Sequence, residues 1–247
     1  MDQIIKMLYD AKDAAEQGGM VNKDLLHFLG MCLSHYDKTK SQNFQDIWAL
    51  YECDGIPHIT PTTFVEFGAT NGIDGSNTYL LEREYGWRGL VAEPNPVYHE
   101  DLRRNRIAPV DTRCVYNTTG ASMDFLLTPA SDLSTLVGYE NSDYNADRRV
   151  GGQSIKVETV TLFDLLEQHQ MPRDIDFVSI DTEGTEPEIL AKFFEQNNGK
   201  YDITCFTIEH NFVDDRRNQI LDLMVKNGYK RKFQSISRWD DFYRKVK

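Results

Sequence analysis

The chain has 247 residues, 40% of them hydrophobic, and a formal net charge of −12 from 27 Lys+Arg against 39 Asp+Glu. Its length suits one large domain or a domain with an appendage, and its acidity argues against nucleic acid as a partner, because phosphate backbones call for clustered Lys and Arg. No apolar run reaches the roughly 20 residues of a membrane span, and the start, Met1-Asp2-Gln3-Ile4-Ile5-Lys6, lacks the apolar core of a signal peptide.

In chain order, Ile4, Ile5, Leu8, Ala11 and Ala15 fall at helical spacing over 3–17, ahead of Gly18-Gly19. Further helices are expected over 22–35 and from about 42 to 52. Residues 1–40 thus read as a helical extension, suited to packing or to homo-oligomer contacts, before one domain over 41–247. Residues 64–68 form an apolar strand that runs into a glycine-bracketed turn, Phe64-Val65-Glu66-Phe67-Gly68-Ala69-Thr70-Asn71-Gly72. Gly68 and Gly72 allow a sharp turn and close approach of the backbone to a ligand. Dinucleotide loops present G-x-G-x-x-G amides to a pyrophosphate. Here Glu66 precedes the turn, and a carboxylate repels a pyrophosphate but suits the ammonium of an amino-acid moiety. E-x-G-x-x-x-G therefore points to S-adenosylmethionine rather than NAD.

A helix follows over 76–85, with Ser76 as N-cap and Gly86 as stop. The next strand, 89–93, ends in Glu93-Pro94-Asn95-Pro96, and an acid at a second strand tip accepts ribose hydroxyls. A helix over 96–105 leads to a strand at 112–117, which delivers Asn117 and Thr118 to an adenine edge. Short strands are expected at 123–128 and 155–160. Between them, 129–153 shows no period, and a loop of that length is a candidate substrate lid. It carries Arg148 and Arg149, able to clamp an anionic acceptor, and Tyr139 and Tyr144, whose rings suit stacking on sugars. Helices over 161–169, 187–197 and 214–227 alternate with strands at 176–181, 203–209 and 229–236. This alternation predicts an α/β, doubly wound, mostly parallel sheet with ligands outside the carboxyl ends of its strands.

Those ends carry acids. Strand 176–181 delivers Asp181, Thr182, Glu183 and Gly184; strand 203–209 delivers Glu209, His210 and Asn211. A helix N-terminus with Pro187 in its first turn accounts for Glu186 and Glu188. It does not account for Asp181, which ends the apolar run Phe177-Val178-Ser179-Ile180. Asp181 or His210 fits a general base. The same groups, Asp181, Glu183 and Glu209 or His210, would also suit a divalent metal, Mg²⁺ or Mn²⁺, although no D-x-D or H-E-x-x-H pattern supports one. No Walker A, G-x-S-x-G or catalytic-cysteine signature is present. Cys32, Cys53, Cys114 and Cys205 form no C-x-x-C pair and fit reduced thiols of a cytoplasmic protein.

Taken in order, several stretches resemble the FkbM-type family of S-adenosylmethionine-dependent methyltransferases over roughly 41–229. They are Ser41-Gln42-Asn43-Phe44-Gln45-Asp46, the 64–72 turn, Ser76-Asn77-Thr78, Gly86-Trp87-Arg88-Gly89-Leu90, Glu93-Pro94-Asn95-Pro96, the 176–186 segment and Ile208-Glu209-His210. The resemblance implies a Rossmann-like, seven-stranded class I methyltransferase domain. It implies that Glu66, Gly68, Ala69, Thr70, Asn71, Gly72, Ser76 and Asn77 hold the methionine end of the cofactor. Glu93, Pro94 and Asn95 would meet the ribose, Asn117 and Thr118 the adenine, and Asp181 the methyl-bearing end. It implies O-methylation of a hydroxyl on a sugar or polyketide-like acceptor. On the strand-tip reading Asp181 or His210 takes the proton, Glu209 completes the catalytic set and with Glu183 holds sugar hydroxyls, and Arg148 and Tyr144 meet the acceptor. The run Thr118-Thr119-Gly120-Ala121-Ser122 departs from the small residue and acid expected after a third strand. The rival readings are an NAD-dependent oxidoreductase or epimerase using Glu93 for the adenosine ribose, a methyltransferase acting on a non-sugar small-molecule hydroxyl, and a cofactor-binding module without turnover.

Overall fold

A computed structural model describes residues 22–53 and 62–246, with residues 5, 6, 9, 10, 12 and 13 helical ahead of them. The rest of the expected 3–17 helix and the Gly18-Gly19 stop lie outside the described residues. Strand β1 (Thr63–Phe67) is buried at every position, as a strand covered on both faces must be. It lies between β2 (Arg88–Ala92) and β8 (Asp174–Ile180) and is parallel to both. With β3 (Val110–Asp111), β9 (Asp202–Glu209), β10 (Tyr229–Lys232) and β11 (Asp240–Lys245) they form a seven-stranded sheet in the order β10-β11-β9-β8-β1-β2-β3. Only β11 runs antiparallel to its neighbours, β9 and β10. This is the Rossmann-like, doubly wound and mostly parallel arrangement that the alternation of strands and helices predicts.

Side chains alternate across the sheet with period two. Val65, Phe67, Leu90, Ala92, Val178, Ile180, Phe206 and Ile208 share one core with Ile189, Leu190 and Phe193 of the helix Glu186–Asn197. Phe64, Val91, Phe177, Cys205 and Phe242 point the other way, into a core closed by the helices Lys23–Ser34 and Gln45–Cys53. There Phe28 stacks on Phe233 at 5.0 Å, and Trp48 lies 5.3 Å from Phe242. Toward the strand ends this second face turns polar. Ser179 Oγ receives hydrogen bonds from Asn77 Nδ2 (2.8 Å) and Thr207 Oγ1 (3.1 Å), in line with Glu66 and Glu209.

Three expectations are corrected. The single strand over 112–117 divides: Val110–Asp111 edges the main sheet, and β4 (Cys114–Tyr116) leaves it to pair with β7 (Gln153–Thr161) in a second sheet, which β5 (Ser122–Leu127) and β6 (Thr135–Leu136) complete in the order β4-β7-β5-β6. The break is a tight turn in which Asp111 accepts hydrogen bonds from the Arg113 backbone and guanidinium. The aperiodic 129–153 segment is not an open loop. It supplies β6 (Thr135–Leu136), which pairs with β5 (Ser122–Leu127), and the four-residue helix Ala146–Arg149, burying Leu133, Leu136 and Arg149. The strand placed at 229–236 ends at Lys232, because Phe233 turns to φ 51°. The unforeseen β11 then inserts between β10 and β9. No helix among the described residues is long and apolar enough to cross a membrane.

Candidate active site

A cleft of about 500 Å³ opens at the carboxyl ends of β1, β2, β8 and β9, a volume suited to a small-molecule ligand. Phe125 and Leu136 of the second sheet form its opposite wall. The glycine turn supplies Gly68, Thr70 and Asn71 to the lining. Gly68 sits at φ 70°, and a Cβ there would lie 2.1 Å from the Asp181 carbonyl oxygen, so the tips of β1 and β8 meet only because that side chain is absent. Gly72 sits at φ 81°, and its Cβ would press on Arg106 and Leu102. Gly72 and the buried Ala69 shape the turn from behind rather than line the cleft.

Glu66 does not face the cleft, which corrects its expected role on an ammonium group. One carboxylate oxygen accepts from the Asn77 amide at 2.6 Å and the other from Arg106 Nη1 at 3.0 Å. Ser76 Oγ and Thr78 Oγ1 donate to the same carboxylate. Arg106 also pairs with Glu82 at 2.9 Å, so two buried acids share one buried guanidinium beneath the turn. Ser76 is thereby withdrawn from the cleft, while Asn77 remains in its lining. The sequence shows Glu66 as an acid near a glycine turn; Arg106, forty residues away, is the partner it does not reveal.

Glu93 does face the cleft. It is 4% exposed; Oε2 accepts from the Thr70 amide at 2.9 Å and Oε1 from the Asn95 amide at 2.8 Å. Burial pushes its carboxyl up to about 7, with the two amides pulling the other way. One side chain therefore ties the β1 turn to the β2 tip while offering its remaining lone pairs to the cleft. Pro94 lines the cleft beside it. Asn95 instead closes a turn, accepting from the Val97 amide and donating to the Ser131 carbonyl.

Asn117 and Thr118 are absent from the lining, because β4 turns into the second sheet. Their place near Glu93 is taken by Arg113, Cys114, Ser131, Asp132 and Leu133. Ser131-Asp132-Leu133 is a single 3-10 turn, too short to give a periodic signal. Arg148 and the 63% exposed Tyr144 line the cleft as expected. Arg149 does not: it is buried, with its guanidinium on Asp143 at 2.8 Å and Glu183 at 2.6 Å. That ion-pair chain fixes the 129–153 segment to the tip of β8.

The acids expected at the strand ends converge. Asp181, Glu183 and Glu209 each bring an oxygen within 4.8 Å of the others, and all three line the cleft. Burial, then the neighbouring Asp240 and Glu186 carboxylates, pushes Asp181 well above the usual range. Burial and Asp181 do the same to Glu183, and burial with Asp181 and Glu183 to Glu209. A raised proton affinity makes a stronger base of whichever carboxylate of the cluster is ionised. Glu186 stays out of the cleft, accepting from the Thr182 and Gly184 amides. His210 is corrected: fully buried and outside the cleft, it accepts from the Phe212 amide through Nδ1, while Nε2 lies 3.8 Å from Asp241. Burial holds it down near about 4, a neutral ring locked in the scaffold.

Residues 66–231 match the family described as methyltransferase FkbM domain. No curated protein matches the chain. Among solved structures it is similar to a human methyltransferase 10 domain containing protein, with 13% identity, 81% of this chain and 80% of that one covered, and a TM-score of 0.43. It is similar to a ribosomal protein L11 methylase from Lactobacillus delbrueckii subsp. bulgaricus (11% identity, 82% and 79% covered, TM-score 0.38). A third is a precorrin-6y C5,15-methyltransferase from Geobacter metallireducens GS-15 (12% identity, 80% and 83% covered, TM-score 0.37).

Proposed function

Because the chain belongs to the FkbM methyltransferase domain family, whose members use S-adenosylmethionine, we propose that its cleft methylates a hydroxyl of a sugar, in a glycan or a glycan precursor. The observation that carries this reading is the meeting, in one cleft, of Glu93 with three clustered carboxylates at the ends of β8 and β9. The cofactor fits the residues present. Glu93 has acceptor capacity for ribose hydroxyls beyond its two amide bonds, and the turn from Gly68 to Asn71 opens beside it. When bound, S-adenosylmethionine supplies an electrophilic methyl group on a sulfonium.

The rest falls to the chain. Asp181, with its raised proton affinity, takes the hydroxyl proton, and the adjoining Glu209 carboxyl keeps that proton inside the cluster. Glu183 and Arg148 offer an acceptor and a donor to neighbouring hydroxyls, and Tyr144 offers a ring face at the cleft wall. Positioning of the hydroxyl contributes the remainder, since displacement at a methyl group demands alignment more than further acid-base help. The buried cysteines Cys32, Cys53, Cys114 and Cys205, which form no disulfide with one another among the described residues, suit a reducing, cytoplasmic setting.

The test pairs calorimetric titration with S-adenosylhomocysteine and NAD against a radiolabelled methyl-transfer assay over a panel of sugars and nucleotide sugars. Binding of the first ligand with label in an ether-linked methyl supports the reading. Binding of NAD alone, or label transferred to nitrogen, overturns it.

A further inference from the structure

We propose that Asp181, Glu183 and Glu209 hold a divalent cation of the hard, oxygen-seeking class, Mg²⁺ or Mn²⁺, within the cleft. One oxygen from each carboxylate lies within 4.8 Å of the others. Oxygens around a six-coordinate ion with bonds of about 2.1 Å sit roughly 3.0 Å apart in cis and 4.2 Å apart in trans, so little closure is needed. The second observation is Glu209 itself. It is 4% exposed and lines the cleft, yet no N–H or O–H group of the scaffold donates to its Oε2, and its carboxyl meets that of Asp181, acid against acid. A buried carboxylate oxygen without a donor is costly, and a cation is the partner that such a site lacks.

The surroundings suit the ion. Arg149 Nη2 and Asn211 Nδ2 both donate to Oε2 of Glu183, which orients that carboxylate and leaves Oε1 available. Arg149 is shared with Asp143, so it does not neutralise the cluster. Among the described residues no histidine or cysteine joins the three acids, which selects against zinc and for magnesium or manganese. The remaining coordination positions open to the cleft, where an acceptor hydroxyl bound to the ion would pass its proton more readily to the uncoordinated oxygen of Asp181. That last role rests on the methyl-transfer reading; the binding itself does not.

The experiment uses the full chain, stripped with chelator and titrated with Mn²⁺ while electron paramagnetic resonance follows the unbound ion. One saturable site per chain is expected, emptied by excess Mg²⁺. Glu209→Gln and Asp181→Asn should each weaken it by at least about tenfold, while Asp124→Asn, on an exposed acid of β5, leaves it unchanged. Melting curves check that each variant is folded, and Glu183→Gln stands in if Glu209→Gln is not. Absence of a saturable site, or a site indifferent to the folded variants, overturns the proposal and leaves Asp181 and Glu209 sharing a proton. Calorimetry with S-adenosylhomocysteine runs in parallel. Cofactor binding without Mn²⁺ binding sinks the cation alone, and the converse sinks the cofactor reading alone.

Discussion

Replacing Glu93 with glutamine should separate cofactor affinity from stability. Its two oxygens accept from the Thr70 and Asn95 amides, and glutamine keeps the shape while turning one acceptor into a donor. A lost charge-assisted hydrogen bond to a ribose hydroxyl costs about 1.5–3 kcal/mol, so the Kd for S-adenosylhomocysteine should rise by about 10- to 150-fold. Stability should move differently. Burial lifts this carboxyl from an ordinary 4.5 to about 7, so between those values the folded chain keeps a proton that the unfolded chain releases. Its contribution to stability therefore declines as pH rises through that window. At about 1.4 kcal/mol per tenfold change in proton affinity, the ionised group costs the folded chain on the order of 3 kcal/mol at pH 8. Glutamine removes that cost and leaves one amide unsatisfied, which costs about 1–3 kcal/mol. Unfolding free energy at pH 8 should thus hold or rise slightly. Wild-type cofactor affinity should fall as pH drops below about 7, and that of the variant should stay flat. Calorimetry from pH 6 to 8.5 and urea denaturation at pH 8 measure both. An affinity within about twofold of wild type, or a stability loss above about 2 kcal/mol, refutes the reasoning.

Asp181→Asn should lower turnover by about 10²–10⁴-fold while the Kd for S-adenosylhomocysteine stays within about threefold, read from single-turnover methyl transfer and calorimetry. Arg106→Met strands the buried Glu66 and Glu82 carboxylates and should cost about 3–5 kcal/mol in denaturant unfolding. For a chain of this length that lowers the melting temperature by about 6–20 °C; a loss below about 1 kcal/mol counts against the shared guanidinium. Gly68→Ala drives a Cβ against the Asp181 carbonyl oxygen at a left-handed φ. Circular dichroism melting should show a loss above about 2 kcal/mol, with cofactor binding abolished in whatever remains folded.

The main sheet was legible because its strands are apolar runs closed by glycines, prolines or acids, and each spans a buried layer. Phe177-Val178-Ser179-Ile180-Asp181 announces both a strand and its end. β11 was not legible: Asp240-Asp241-Phe242-Tyr243-Arg244-Lys245 opens on two acids that the fold buries against Gln45, Arg217 and Arg231, partners remote in sequence. The 129–153 segment hid its order for a similar reason. Its elements are two to four residues long, below any period, and an ion pair between Arg149 and Glu183 does the anchoring. His210 misled because a histidine beside a strand-end acid has the chemistry of a base. Position along the pleat decides otherwise: Glu209 lines the cleft, and the next residue must point away from it.

The same rule explains why two glutamates near strand ends have opposite duties. Glu66 is the fourth of the five residues of β1. Its side chain emerges on the face of Phe64, under the helix Tyr79–Tyr85, where water cannot follow. There the protein must supply both counter-charge and donors, and it does so with Arg106, which also sits 5.4 Å over the Phe64 ring. Glu93 follows the last residue of β2, past the point where the sheet can cover it, so its contacts are two backbone amides and an open cleft. An acid inside a strand is consumed by the fold, and an acid one step beyond its end is available to a ligand. A motif that counts residues to a glycine does not distinguish the two, whereas the register does: Phe67 pairs with Ala92, which leaves Gly68 and Glu93 as the first residues beyond their strands. The cleft is thus built where the parallel pairing stops: Asp181 follows β8 as Glu93 follows β2, and Glu209, the last residue of β9, lies past Ile180–Ile208, the final pair of β8 with β9.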